Sequence, residues 1–193
     1  FTYPLWVKGQ VTAGFTYTLS PASGCAPVLV NFTNTSTGAT SYFWSFGNGN
    51  TAVQTNPSTT YNTDGIYTVT LTASNGGSNS VHTAIINIYA LPTADFSVNP
   101  ATVCVGQNVS FTDNSTAGSG NISSWAWDFG DGSSENNATG STAHTYNASG
   151  TFPVSLIVTN SAGCFRSVVR QVTVLDGPLA DFTGNPLIGC AVP

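Results

Sequence analysis

The sequence predicts an all-β protein made of tandem β-sandwich domains. Short runs of alternating apolar and polar residues recur between clusters of Gly, Asn, Ser and Pro, and no long apolar stripe with helical spacing interrupts them. The chain also repeats itself, because Phe15, Phe96 and Phe182 open equivalent segments in which a proline and then a cysteine follow. Short strands at this spacing are typical of a sandwich.

The composition excludes several functional classes. Only 6% of the 193 residues are charged and the formal net charge is −5, with three basic residues in all. Phosphate contacts need clustered Lys and Arg, so neither nucleic acid nor an anionic membrane surface is expected as a partner. Apolar residues make up 40% of the chain, which is enough for a packed core. No apolar run is long enough to span a bilayer, so no membrane insertion is expected.

Matching landmarks set the expected domain boundaries. The central-strand tryptophans, the later tyrosines and the glycines after them align as Trp44 with Trp127, Tyr61 with Tyr146, and Gly65 with Gly150. They predict a first domain over residues 14–92 and a second over 93–178. Residues 1–13 precede the first domain as a strand or linker, and residues 179–193 form the first strand of a third, incomplete repeat.

The N-terminal residues carry an apolar face that calls for a partner. Phe1, Tyr3, Leu5 and Val7 lie on one side of an extended strand. The segment is either the last strand of a preceding repeat or a donor strand that adds to the sheet edge of a neighbouring subunit. The C-terminal tail likewise is completed either by a longer chain or by another molecule.

One motif occurs in both domains and resembles a known family. Residues 127–132 read WDFGDG and residues 44–49 read WSFGNG, and each copy is followed by a tyrosine, a glycine and an alternating strand. This order resembles the PKD (polycystic kidney disease) repeat. The resemblance implies tandem immunoglobulin-like sandwiches of a bacterial extracellular surface protein. Such repeats occur in surface layers, in adhesins and as spacers beside extracellular hydrolases, and they are usually non-catalytic.

The motif is expected to be architectural. Glycine takes positive φ without steric cost, so each Gly-x-Gly suits a tight hairpin. The tryptophan of a central strand normally fills a sandwich core, which is the role predicted for Trp44 and Trp127 in preference to sugar stacking. Asp131 is expected to cap its own turn through backbone amides.

Acidic residues near the motif are the candidates for calcium. Asp128, Asp131 and Glu135 are close in sequence, and Asp95 lies where some PKD relatives bind Ca²⁺ near the linker that enters the domain. The first repeat places Ser45 and Asn48 at the first two positions, so the fold does not require a metal there. We therefore expect no bound metal or other cofactor.

No catalytic constellation is visible in the sequence. His144 stands two residues before Tyr146, where PKD repeats often carry a structural histidine, and His82 has no counterpart in the second repeat. Neither shows metal-ligand spacing or a readable nucleophile–base pattern. The sequence therefore predicts that the chain is not an enzyme.

The cysteines bear on compartment and assembly. Bacterial PKD repeats often carry a pair like Cys104 and Cys164, and the resemblance implies a disulfide between them, which needs an oxidising, extracytoplasmic compartment. Cys25 and Cys190 are then left over. They are buried and free, or they pair between two chains and lock a head-to-tail polymer, or Cys190 pairs within a missing remainder of the third repeat.

Glycans are a further expectation. A protein with so few charges needs another way to stay hydrated, and N-linked sugars would supply it. Asn-x-Ser/Thr sequons begin at Asn31, Asn34, Asn108, Asn114, Asn121, Asn137 and Asn147.

Two functional hypotheses follow from the sequence. The first is a structural repeat unit of an extracellular filament or long cell-surface adhesin that assembles head-to-tail with copies of itself. The second is a carbohydrate-binding or spacer module attached to a secreted enzyme that degrades polysaccharide or protein. In that case Trp6 or Phe43 would anchor a glycan by stacking.

Overall fold

The structure, a computed structural model, describes residues 9–137 and 139–177. Strands are the only regular elements in these ranges, which confirms the all-β prediction. The chain divides into two compact units between Ala90 and Leu91, two residues before the expected boundary. The predicted assembly strand (Phe1, Tyr3, Leu5 and Val7), Trp6, Cys190 and the tail of the third repeat lie outside the described residues. No helix within the described ranges is long and apolar enough to cross a membrane.

Unit 1 contains seven strands in two antiparallel sheets. One sheet has the order β1-β2-β5 and the other the order β4-β3-β6-β7. The strands are β1 (Phe15–Ser20), β2 (Val28–Asn34), β3 (Ser41–Ser45), β4 (Thr51–Ala52), β5 (Ser58–Tyr61), β6 (Gly65–Ser74) and β7 (Asn79–Ile88).

Unit 2 repeats this arrangement with one further strand. Its sheets have the orders β8-β10-β13 and β12-β11-β14-β15-β9, and the added β9 runs parallel to β15. The strands are β8 (Phe96–Asn99), β9 (Thr102–Cys104), β10 (Asn108–Asp113), β11 (Ile122–Asp128), β12 (Ser134–Asn137), β13 (Thr142–Thr145), β14 (Gly150–Asn160) and β15 (Phe165–Leu175).

Each core lies between the two sheets of its own unit. Alternation along the strands sends every second side chain inward, as in β6, where Val69, Leu71 and Ala73 are fully buried. The central-strand tryptophans fill the centre, since Trp44 and Trp127 are no more than 1% exposed. The prediction of a core role for both is therefore confirmed.

The disulfide prediction is corrected by the register of β15. Cys164 directly precedes Phe165 at one end of this 11-residue strand, and Cys104 lies beside Leu175 at the other end. Ten steps along a strand span roughly 33 Å, whereas a disulfide needs Cα atoms within about 7 Å. Cys104 and Cys164 therefore do not pair with each other.

The cysteines are nevertheless oxidised. Cys25, Cys104 and Cys164 are all disulfide-bonded, so the alternative that Cys25 is a free thiol is wrong too. Because the β15 register separates Cys104 from Cys164, these two belong to different disulfides. Disulfides persist in oxidising compartments, which fits an extracellular location.

We expect peptide mapping without reduction to recover Cys104 and Cys164 in separate disulfide-linked peptides. In a Cys104→Ser variant, thiol labelling followed by mass spectrometry should find Cys164 still oxidised, because Cys104 is not its partner. A labelled Cys164 in that variant would contradict the register of β15.

Candidate functional site

The Gly-x-Gly turns are fixed by close backbone approach. Gly130 has φ of 79° and Gly47 has φ of 76°, so both adopt the left-handed conformation that the motif predicts. A Cβ at Gly130 would lie 2.6 Å from the Pro153 carbonyl oxygen, and one at Gly47 would lie 2.8 Å from the Thr68 carbonyl oxygen. Glycine is thus required both for φ and for the contact of the turn with the neighbouring strand.

Three polar side chains converge on this turn in unit 2. The Asp131 carboxylate accepts a hydrogen bond from the Ser133 backbone N–H at 3.0 Å, which confirms its predicted capping role. Its other oxygen lies 2.8 Å from Nε2 of His144. Ser133 Oγ lies 3.2 Å from the same nitrogen and also contacts the carboxylate. The His144 ring stacks on Phe129 with ring centroids 4.2 Å apart.

This Asp–His–Ser cluster does not have the geometry of a catalytic triad. In a triad the carboxylate orients one ring nitrogen and the nucleophile uses the other. Here the Asp131 carboxylate and the Ser133 hydroxyl meet the same nitrogen of His144, and the hydroxyl is also bound to the carboxylate. The cluster closes the turn. The sequence did not predict that Ser133 meets His144. The spacing of these two residues along the chain does not show that β13, which carries His144, lies beside the turn.

Unit 1 forms the same cluster from uncharged groups. Asn48, Asn50 and Thr59 occupy the positions of Asp131, Ser133 and His144. The Asn50 amide donates to Thr59 Oγ1 at 3.2 Å, and the Asn48 side-chain oxygen accepts from the Asn50 backbone N–H at 3.1 Å. The turn therefore forms with amides as well as with an ion pair, as expected for an architectural motif.

The cluster shifts the pKa of its acidic groups. Partial burial raises the pKa of Asp131, but hydrogen bonds from Ser133 and His144 outweigh it and hold this pKa at about 2. Burial, aided by the nearby Asp131 charge, raises the pKa of Tyr146 to about 12. The Tyr146 hydroxyl donates to the Phe129 carbonyl oxygen at 3.1 Å and so stays protonated at physiological pH.

The calcium candidates are not brought together. Asp95 forms an ion pair with Arg170, with 2.6 Å between Oδ1 and the guanidinium nitrogen. Asp128 accepts a hydrogen bond from the Gly130 backbone N–H at 2.9 Å, and Asp131 is engaged with His144. Across residues 9–137 and 139–177, no group of three His, Cys, Asp or Glu side chains could hold a metal ion.

The outward-pointing side chains of β3, β6 and β7 form a surface that we call the outer face of unit 1. Phe43, Thr72 and Val81 are in register across the three strands and form one continuous row. Thr68 and Ile85 form a second row, and Ile66 extends the apolar surface along β6. The four large apolar side chains here are all at least half exposed: Phe43, Ile66, Val81 and Ile85.

The outer face of unit 1 carries no charge. Its remaining side chains are Ser, Thr and Asn, and Asp64 is the one charged residue between positions 9 and 90 of the sequence. The equivalent sheet of unit 2 exposes Ile157, Phe165 and Val169 but also carries Asp128. Large exposed apolar surfaces mark interaction sites in soluble proteins.

The sequons in unit 1 lie away from the outer face. Asn31 and Asn34 are both on β2, in the opposite sheet, and Asn31 is exposed. In unit 2 the asparagines of four sequons are exposed and that of the fifth, Asn137, is half-buried, with its side-chain oxygen bound to the Gly140 backbone N–H. The four exposed positions are Asn108, Asn114, Asn121 and Asn147.

A single family model matches both units of the chain. The model of the PKD domain matches residues 15–88 and again residues 89–174. The chain belongs to the PKD domain family. PKD domains are generally non-catalytic accessory domains and occur in extracellular proteins. The resemblance carried by the WDFGDG and WSFGNG motifs is thus confirmed.

Several known proteins are similar to this chain over about one domain. A microbial collagenase of Vibrio alginolyticus is 38% identical over 71 residues, which are 36% of this chain and 8% of the collagenase. The PKD1 domain of Vibrio anguillarum Epp is 29% identical, covering 45% of this chain and 95% of that domain with a TM-score of 0.39. A structure of carbohydrate-binding modules from the β-sandwich superfamily is 33% identical, covering 45% of this chain and 35% of that one with a TM-score of 0.44.

We expect the stability that Asp131 contributes to depend on pH in the acid range. Its pKa in the folded chain is about 2, below its ordinary value of 3.8, so the contribution is present above about pH 4 and is lost as the pH falls to about 2. Urea denaturation of the full chain at pH 5, 3 and 2, followed by tryptophan fluorescence, measures it. The parent should lose more unfolding free energy than an Asp131→Asn variant over this range.

The matched control copies the unit 1 cluster into unit 2 through D131N, S133N and H144T together. This variant should fold, because unit 1 forms the turn with the same three residues. Between pH 5 and pH 2 it should lose no more unfolding free energy than the Asp131→Asn variant does. If the parent and D131N differ in unfolding free energy by the same amount at pH 5 and at pH 2, the assignment of the lowered pKa to Asp131 is wrong.

Proposed function

We propose that this chain is a non-catalytic structural segment of an extracellular filament or long cell-surface adhesin, and that its PKD domains associate with other copies of the chain. The observation that carries the proposal is the uncharged outer face of unit 1. Association of this kind is heterologous when different surfaces meet, and it extends a fibre when the contact does not close on itself.

The chemistry of the outer face suits a second protein surface. A soluble domain rarely exposes a large apolar patch unless the patch binds a partner, and the core of such an interface is depleted of charged side chains. The outer face has none, and Phe43, Thr72 and Val81 form a row across three strands. Two sheets of this kind can pack face to face with their side chains interdigitated about 10 Å apart. No ion pair has to be desolvated in such a contact, so burial of apolar area is not offset by the removal of charge from water.

The positions of the sequons support the same proposal. A glycan on Asn31 would hydrate the β1-β2-β5 sheet and leave the outer face uncovered. Glycosylation of this chain is itself part of the proposal, and glycopeptide mass spectrometry of native material tests it. If the β1-β2-β5 sheet carries glycans and the outer face does not, association would be limited to the outer face of unit 1.

We expect charge on the outer face to prevent assembly. The Val81→Lys/Ile85→Lys variant should need at least about tenfold more protein to form fibres, because two unpaired ammonium groups would have to be desolvated in the contact. Sedimentation velocity and negative-stain electron microscopy of parent and variant at increasing concentration measure this.

The matched control is Leu29→Lys. Leu29 is 40% exposed on β2, in the sheet opposite the outer face. This variant should assemble like the parent. A parent that sediments as a compact monomer at every concentration would remove the support for self-association.

A second candidate function is carbohydrate binding, favoured by the exposure of Phe43. Phe43 is 50% exposed and lies among hydroxyl-bearing side chains that can bind sugar hydroxyls. A secreted enzyme could use such a module, or a plain spacer, beside its catalytic domain.

Pull-down on insoluble polysaccharides tests this second candidate. If Phe43 stacks on a sugar ring, Phe43→Ala should lose most of the bound fraction, whereas Phe165→Ala should keep it. Phe165 is 64% exposed on unit 2 and serves as the aromatic control. Retention of parent and Phe43→Ala to the same extent, or of neither, would count against a glycan site at Phe43.

A further inference from the structure

Among the described residues, strand β7 has a hydrogen-bonded neighbour on one side only. It pairs with β6 and ends the sheet, and the nearest backbone pairing on its other side is the isolated bridge between Cys25 and Tyr89, just beyond its end. Ser80 contacts Ala13, just before β1, and His82 contacts Phe15 on β1, which closes the first part of this side. The edge over residues 83–88 is a template for an added strand.

An ion pair protects the equivalent edge of unit 2 from the addition of a strand. Arg170 on β15 reaches across to Asp95, which directly precedes β8, and its guanidinium carbon lies 5.7 Å from the centre of the Phe96 ring. This ion pair stands beside an open cleft of about 560 Å³ between β8 and β15. A strand added to β15 would have to displace or bury the ion pair, and inward-pointing charges are a common protection of sheet edges.

Unit 1 lacks this ion pair. The register of the last two strands places Ala84 where unit 2 has Arg170, and Gly14 stands in place of Asp95. The sequence of β7, NSVHTAIINI, has no acidic residue, lysine, arginine or proline. The two edges therefore differ in charge although the strands around them correspond.

We propose that the edge of β7 over residues 83–88 accepts residues 1–8 of a second copy of this chain as an added strand. This inference rests on the proposed self-association and names the contact that would extend it. No side chain of the donor before Lys8 is charged, and no side chain of the acceptor edge is charged, so pairing buries no charged side chain at the edge.

The sequence of residues 1–8, FTYPLWVK, suits this role. An added strand bonds to the edge through alternate residues, since successive N–H groups point to opposite sides of the strand. If Phe1, Tyr3, Leu5 and Val7 bond to β7, then Pro4 faces away, where its missing N–H costs nothing. Proline on the new outer edge also stops a further strand from adding. Residues 83–88 offer about 20 Å of edge and eight donor residues span about 26 Å, so about six donor residues can pair with β7 at once.

The C-terminal tail is the poorer donor. Residues 180–193 read ADFTGNPLIGCAVP, in which two glycines and two prolines interrupt any strand pairing. Residues 1–8 contain a single proline and no glycine. The proposal therefore commits to the N-terminal segment.

A labelled synthetic peptide of residues 1–8 tests the proposal. The receiving protein is the full chain carrying Leu5→Asp and Val7→Asp, so that its own N-terminus does not compete. We expect fluorescence anisotropy to show one bound peptide per chain, and hydrogen exchange to show slower exchange of the amides over residues 83–88 and no change in β15. A peptide that carries the same two aspartates should not bind.

The decisive variant introduces the Asp95–Arg170 ion pair of unit 2 into unit 1 through Gly14→Asp and Ala84→Arg in the same background. A Cβ at Gly14 would meet only the flexible hydroxyl of Thr35 closely, at 2.9 Å, so the exchange is compatible with the fold. Peptide binding should weaken at least about tenfold. Val53→Arg, which adds an arginine to unit 1 away from β7, should bind the peptide like the background protein.

Any of three results with the peptide would overturn the proposal: no binding to the background protein, unchanged binding to the Gly14→Asp/Ala84→Arg variant, or protection that falls elsewhere than on β7. Thermal unfolding of each variant checks that it is folded. Fibres that form from the Leu5→Asp/Val7→Asp chain as readily as from the parent, yet are lost in Val81→Lys/Ile85→Lys, would leave the proposed function standing and remove this strand exchange.

Discussion

The structure depends on the contact between the central-strand turn and the tyrosine that follows it. The Tyr61 hydroxyl donates to the Phe46 carbonyl oxygen at 2.8 Å, and Tyr146 donates to Phe129 in the same way. Each bond is buried and ties a residue at or next to the end of one sheet to the turn of the other. Loss of such a partner leaves a buried polar group unsatisfied, which costs about 1–3 kcal/mol. The turn glycines permit the approach, and the tryptophans Trp44 and Trp127 then fill the space between the sheets.

Charge is used sparingly, and most of it is placed in unit 2. Asp131 closes the turn with His144, and Asp95 spans the open side of the sandwich with Arg170. Unit 1 builds the same turn from amides and leaves the same side uncharged. Two domains with matching cores thus differ at their surfaces and edges. Both proposals use these surfaces and edges, so the difference bears on the proposed contacts between copies.

The absence of charge on the outer face of unit 1 connects both proposals. Thr72 and Thr68 lie between apolar side chains, so the surface is polar enough to remain hydrated and has no charge that opposes a partner. The same property of β7 distinguishes its edge from that of β15. Face and edge are separate surfaces of one sheet, and they can contribute independently to contacts between copies.

The sequence by itself determined the class of fold, the two repeats, the core role of Trp44 and Trp127 and the capping role of Asp131. These features are local or periodic: alternation sets which side chains point inward, and a turn selects its own residues. The tertiary structure decided what depends on strand order and register. It separated Cys104 from Cys164 along β15, brought Ser133 to His144, and paired Asp95 with Arg170 across 75 positions of sequence. Such pairings arise only when strands that are distant in sequence become neighbours, and spacing along the chain does not encode them.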